Sequence, residues 1–160
     1  MKKIMLLIML LVVFVGCSPK ENFDTISKQD TKSEEFNGRT RKEVLYGGED
    51  FLYTGEVDYD DLARKPEENK GELFLMAGTV EQVMETDEES QYLVIVDSNP
   101  ENILFCHFIK DNPNYPKERI LEGDFIKFKA GSLGLIDYET SGNSIKTVPN
   151  VSIHQIIDSK

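Results

Sequence analysis

The sequence predicts a mainly β domain, a small five-stranded barrel entered through one short N-terminal helix. Three observations predict it. From Glu72 onward the apolar residues recur with a period of two, in runs separated by Gly, Pro, Asn and Asp clusters. The longest run, Leu73 to Met84, has Gly78 in its middle, as a strand has where it bends to serve both sides of a barrel. Before that half, Tyr59, Leu62 and Ala63 are spaced to share one helical face.

What precedes the domain is of another kind. Met1-Lys2-Lys3 and an uncharged apolar run, Ile4 to Val15, make a positive n-region and an h-region, with a small residue, Gly16, at a cleavage position. The run is too short for a membrane span, which needs about 20 apolar residues. A cysteine directly after the small residue turns the reading from secretion to lipidation. Phe14-Val15-Gly16-Cys17 resembles the lipobox of bacterial lipoproteins, in which the cysteine thiol takes a diacylglyceryl group and becomes the first mature residue. Phe14 departs from the leucine more usual there. On this reading residues 1–16 are a signal peptide, and Cys17 carries the diacylglyceryl anchor, with palmitate among the acyl chains. Residues 17–49 are then the lipidated cysteine and a flexible tether, and residues 50–160 the barrel domain. The protein is held to the extracytoplasmic face of a cell membrane.

The chain of 160 residues carries a net charge of −11. Without Lys2 and Lys3 the balance is 16 basic against 29 acidic residues, or −13. Such a chain repels phosphate backbones, so nucleic acid is not expected as a partner. Of the two cysteines, Cys17 is committed to lipid, which leaves Cys106 without an intramolecular partner. Its setting, Ile-Leu-Phe-Cys-His-Phe-Ile, is that of a buried small hydrophobe rather than a reactive thiol.

In order along the chain, Ser18 to about Gly47 is polar, with aperiodic apolar residues such as Phe23, Ile26 and Phe36, and reads as tether. Asp58 is placed to cap a helix over Tyr59–Arg64 that Pro66 ends. The acidic cluster Asp58, Asp60 and Asp61 reads as a first helical turn complementing the macrodipole rather than a cation site. Strand one runs from Glu72 to Met84, and Glu85–Ser90 is an acidic hairpin loop. Strand two covers Gln91–Val96 and strand three Asn102–Lys110, around a turn at Asp97–Glu101. After a loop with two prolines, Glu118–Leu121 is expected to form one helical turn. Strand four starts at Phe125 and continues past Gly131 and Gly134 to Tyr138. Ile145–Ile157 is the last strand or strand pair, interrupted at Pro149.

Chemistry is scarce. Gly131-Ser132-Leu133-Gly134 lacks the residue that a nucleophile elbow places between glycine and serine. Asp97-x-Asn99-x-Glu101 lacks the central glycine and distal glutamate of a calcium loop. His107 and His154 are the only histidines, and no phosphate loop or zinc-type spacing appears, so no metal, cofactor or catalytic residue is assigned.

A long bent strand, a hairpin, a connection and two further strands is the order of an OB-fold barrel. Tyr59 to Pro66, Lys70-Gly71-Glu72, Gly78-Thr79-Val80, Ile120 to Asp124, Gly134 to Tyr138 and Val148-Pro149-Asn150-Val151 resemble a family of bacterial OB-fold lipoproteins with a tRNA-anticodon-binding-like domain. The resemblance implies the fold over roughly residues 53–157 and carries no catalytic residues with it.

Pairing Asp97 with Asn102 sets Val96 against Ile103, Val94 against Phe105 and Tyr92 against His107 on one face. Leu93, Ile95, Leu104, Cys106 and Phe108, wholly apolar, then face the barrel interior. Tyr92, Val94, Phe105 and His107 thereby become the candidate ligand-binding residues, apolar with two polar tips. The alternative is that the chain covers this face itself, with Val44–Val57 or the Tyr59–Arg64 helix. The expected function is a binding or interaction module for a protein or an envelope component such as peptidoglycan. An envelope enzyme, an enzyme inhibitor and a phage or plasmid exclusion lipoprotein are the alternatives.

Overall fold

A computed structural model describes residues 35–48, 51–140 and 142–160. The signal peptide, Cys17 and the tether up to residue 34 lie outside the described residues.

Order begins earlier than residue 50. Strands β1 (Glu35–Phe36) and β2 (Arg39–Thr40) pair antiparallel across a turn in which Asn37 and Gly38 take left-handed φ. Helix α1 (Arg41–Tyr46) follows, with Thr40 as its N-cap. Glu43 N–H donates to Thr40 Oγ1 at 3.3 Å, and Thr40 N–H donates to Glu43 Oε2 at 2.7 Å. This reciprocal box satisfies two donors that the first turn leaves over. Phe36, Val44 and Leu45 are buried, so the expected tether over residues 17–49 gives way at residue 35 to a packed segment. Composition misses this because a six-residue helix is not stable by itself; the barrel supplies the surface that makes it so.

The remaining elements are β3 (Thr54–Glu56), α2 (Tyr59–Arg64), α3 (Pro66–Asn69), β4 (Leu73–Glu85), β5 (Glu89–Val96), β6 (Ile103–Ile109), β7 (Phe125–Glu139) and β8 (Ile145–Ser159). Strands β4 to β8 close in the order β4-β5-β6-β8-β7 and back to β4. The β6–β8 pair is parallel and the other pairs are antiparallel. This is a five-stranded OB-like barrel, as the strand order predicts. The short β3 adds a parallel edge to β4 at Phe74 and Leu75.

Closure depends on β4 changing partners. Leu73 to Thr79 pairs with β7, and Gly78 to Glu85 pairs with β5, so the strand switches sheets at Gly78. A β-carbon there would strike the Ile95 carbonyl oxygen and lie 2.7 Å from Val94 Cγ1. Only glycine lets the two backbones approach so closely.

The interior is filled from every strand, by Phe74 and Val80, Tyr92 and Val94, Leu104 and Phe108, Ile126 and Phe128, and Val151 and Ile153. Each such side chain contributes roughly 1.5–3 kcal/mol relative to exposure. Leu62 of α2 joins this cluster. Its N-cap Asp58 makes no side-chain capping bond, contrary to expectation, and Pro66 opens α3 at its first position rather than only ending α2. Residues 118–121 form no helical turn, although Ile120 is buried. Pro149 does not interrupt β8. The strand pairs with β6 only from Asn150 onward, so one side of β8 is still free of ladder bonds where the proline lacks its N–H.

Candidate functional site

The hairpin of β5 and β6 turns through Asp97 and Ser98, both with left-handed φ (55° and 52°). Asn99 N–H donates to the Val96 carbonyl at 3.0 Å, and Val96 N–H donates to Asn102 at 3.0 Å. Val96, not Asp97, is therefore the partner of Asn102. The register that follows sets Leu93 against Phe105, Tyr92 against Cys106 and Gln91 against His107. One residue of slip reverses the faces of a strand. Tyr92 and Val94, expected on the binding face, point into the barrel, where they are 2% and 0% exposed. Leu93 and Ile95, expected inside, lie on the outer face with Phe105 and His107. The assignment of Leu104, Cys106 and Phe108 to the interior holds. Burial pushes the Cys106 thiol and the Tyr92 phenol well above their ordinary values, so both stay protonated.

The outer face is sealed by the chain itself. Leu93, Ile103 and Phe105 pack with Val148, against Ile136 and Tyr138 of the distal β7–β8 arm. The Phe105 and Tyr138 rings are 6.1 Å apart. Further along, Phe105 meets the His107 ring at 5.0 Å. His107 Nδ1–H donates to Glu89 Oε2 at 3.2 Å, and Gln91 Nε2 donates to Glu89 Oε1 at 2.6 Å. All three side chains are buried. Burial pushes the Glu89 carboxyl up, but the bonds from His107 and Gln91 outweigh it and hold it below 4.5. His107 Nε2 has no hydrogen-bond partner among the described residues. A carboxylate-oriented imidazole with a free Nε2 has the orientation of a base or a metal ligand. Here it is 1% exposed, which closes it to a substrate. Among the described residues no group of three or more His, Cys, Asp or Glu could hold a metal ion.

Helix α1 covers the adjoining strand. Ser152, the register partner of His107, donates to the Leu45 carbonyl at 2.7 Å. His154 Nε2–H donates to Val44 at 2.6 Å, and Asn112 Nδ2 donates to Tyr46 at 3.2 Å. Three barrel side chains thus satisfy carbonyls that the last turn of a helix leaves over. The Tyr53 hydroxyl donates to His154 Nδ1 at 2.9 Å, which fixes the neutral tautomer. Burial lowers the His154 pKa to about 4, against a smaller upward pull from the Val44 carbonyl. An ideal Cβ at Gly131 of β7 would sit 2.6 Å from the Val44 carbonyl oxygen, so glycine sets the close seating of α1.

Of the four predicted face residues, the structure keeps Phe105 and His107 together and turns Tyr92 and Val94 away. Sequence reasoning missed Glu89 and Gln91 as face residues, although a signal existed: they continue the period-two series of Leu93 and Ile95, Gln91 at the start of the expected strand and Glu89 in what reads as loop. Cys17 lies outside the described residues. Comparison of the chain with protein-family models, curated proteins and solved structures finds no match.

Proposed function

We propose that the protein is a membrane-anchored extracytoplasmic lipoprotein whose barrel serves as a binding or interaction module for a protein or cell-envelope component. The observation that carries the reading is a lipobox-like Phe14-Val15-Gly16-Cys17, after an uncharged apolar run, in one chain with an OB-like barrel. The resemblance to bacterial OB-fold lipoproteins supports the same reading. Barrels of this architecture hold ligands on faces and loops around a rigid core. A net charge of −11 favours basic or neutral partners over nucleic acid.

The anchor is tested by Cys17→Ser. Loss of palmitate labelling and departure from the membrane fraction are expected, and continued labelling of the variant contradicts the anchor. The module is tested by passing envelope extract over the immobilised chain. One component retained saturably and competed by free chain is expected; saturable retention of nothing counts against a binding role.

A further inference from the structure

With the outer face of β5 and β6 covered, an open concavity lies at the bend of β4. A groove with a cavity volume of about 510 Å³ runs beside Gly78. Ligand clefts commonly measure about 300–1,000 Å³. Met76 and Ile95 line it, with Phe125, an aromatic side chain left 51% exposed. Asp58 and Asp97 line it as well, and no lysine or arginine does. Asp58 is at the head of α2 but makes no capping bond, so its carboxylate is not consumed by the helix. Asp97 accepts one bond, from Asn102 Nδ2 at 3.2 Å.

At the bend itself no free strand edge is offered for strand addition. At Gly78 and Thr79, β4 is paired on both sides, with β5 and with β7. Recognition therefore falls to side chains, an apolar wall beside two carboxylates. We propose that this groove docks a cationic, apolar peptide segment of a partner protein, a lysine or arginine next to a bulky apolar residue. The inference rests on the binding-module reading and names the chemistry of the partner. Apolar contact with Phe125 and Met76 supplies affinity, and the carboxylates, inside the field of a strongly acidic chain, supply selectivity and steering.

The test uses the full chain, isotope-labelled, in detergent micelles, titrated with a blocked heptapeptide alternating lysine and leucine. A matched peptide alternating glutamate and leucine is the comparison. Amide resonances of Ala77, Thr79, Ile95 and Ser98 are expected to shift with the lysine peptide only. Asp58→Asn with Asp97→Asn should weaken binding about tenfold. Glu67→Gln with Glu68→Gln removes the same charge outside the groove and should change it little. Phe125→Ser, at an exposed position, should weaken binding with the rest of the spectrum unchanged. Shifts centred elsewhere, equal response to the glutamate peptide, no shift at all, equal weakening by both charge pairs, or unaltered binding by Phe125→Ser would each overturn the proposal. So would groove resonances that move with protein concentration alone, which would make a second copy the occupant. Saturable retention of an envelope component without groove shifts defeats the groove alone, and saturable retention of nothing defeats the module, so the two failures are distinguishable.

Discussion

The inner and outer faces of the β5–β6 hairpin are almost equally buried, but by different things. The inner face, with Tyr92, Val94, Cys106 and Phe108, is buried by the closing of the barrel. The outer face, with Leu93 and Phe105, is buried by an addition to the barrel, the distal β7–β8 arm. Their chemistry differs accordingly. The inner side keeps only uncharged polar groups, the Tyr92 phenol and the buried Ser90 hydroxyl, among apolar side chains, whereas the outer face keeps Glu89, Gln91 and His107 in a hydrogen-bonded cluster. Low exposure alone does not separate a core from a covered surface. A paired charge at the same depth does, because an interior formed by closure has no need of one.

The largest expected effect breaks the closure on which both faces depend. Gly78→Val forces a branched side chain against the Ile95 carbonyl and should cost more than about 4 kcal/mol, or prevent folding. Glu85→Val, on the same strand, loses an exposed 3.0 Å pair with Arg119 and should cost under about 1 kcal/mol. Equal melting temperatures for the two variants would remove the bend from the account.

Next, one aromatic is truncated on each face. Tyr92→Ala and Phe105→Ala should each cost roughly 3–5 kcal/mol, the first by emptying the core, the second by undercutting Tyr138 and Val148. Thermal melts decide it. A Phe105→Ala protein as stable as the parent would mean that the outer face is not covered by the arm.

Acid sharpens the comparison further, because Glu89 on the outer face and His154 beneath α1 titrate in different ranges. His154, beneath α1, has a pKa of about 4 when folded and 6.5 as its ordinary value. Between these the unfolded chain binds a proton that the folded chain does not. Stability therefore falls as pH drops from about 6.5 to about 4, by on the order of 2–3 kcal/mol. Glu89 is held below 4.5, so its contribution is present above the ordinary carboxyl range and is lost only as pH falls through the lower folded value. Urea midpoints measured across about pH 7.5 to 5 should decline in the parent and stay flat in His154→Gln. A parallel decline in both would detach His154 from the effect.

The smallest effect is on the arm. Ile145 is 74% exposed and Val148 on the same strand is buried against Phe105. Ile145→Ser should change stability by less than about 0.5 kcal/mol, while Val148→Ser should cost about 2 kcal/mol. A reversal of that order would put the arm the other way up.

Much of this architecture was legible in the sequence. Period-two runs around Gly78 located the long strand and its bend, and the five strands stood in the order that closes an OB-like barrel. The face did not survive, for a local reason. Asp97 and Ser98 both take left-handed φ, which moves the turn by one residue, and side-chain alternation carries that slip along the whole of β5. Residues 35–46 were illegible for another reason: their helix is too short to announce itself by periodicity and is held by Ser152 and His154, more than a hundred positions away.

Cross-strand nuclear Overhauser effects between β5 and β6 test the account most directly, because the two faces differ by one residue of register. The account predicts close contacts of Tyr92 with Cys106 and of Gln91 with His107, with the Phe105 ring reaching Tyr138. Contacts of Tyr92 with His107 and of Val94 with Phe105, with the Phe105 ring free of Tyr138, would contradict it.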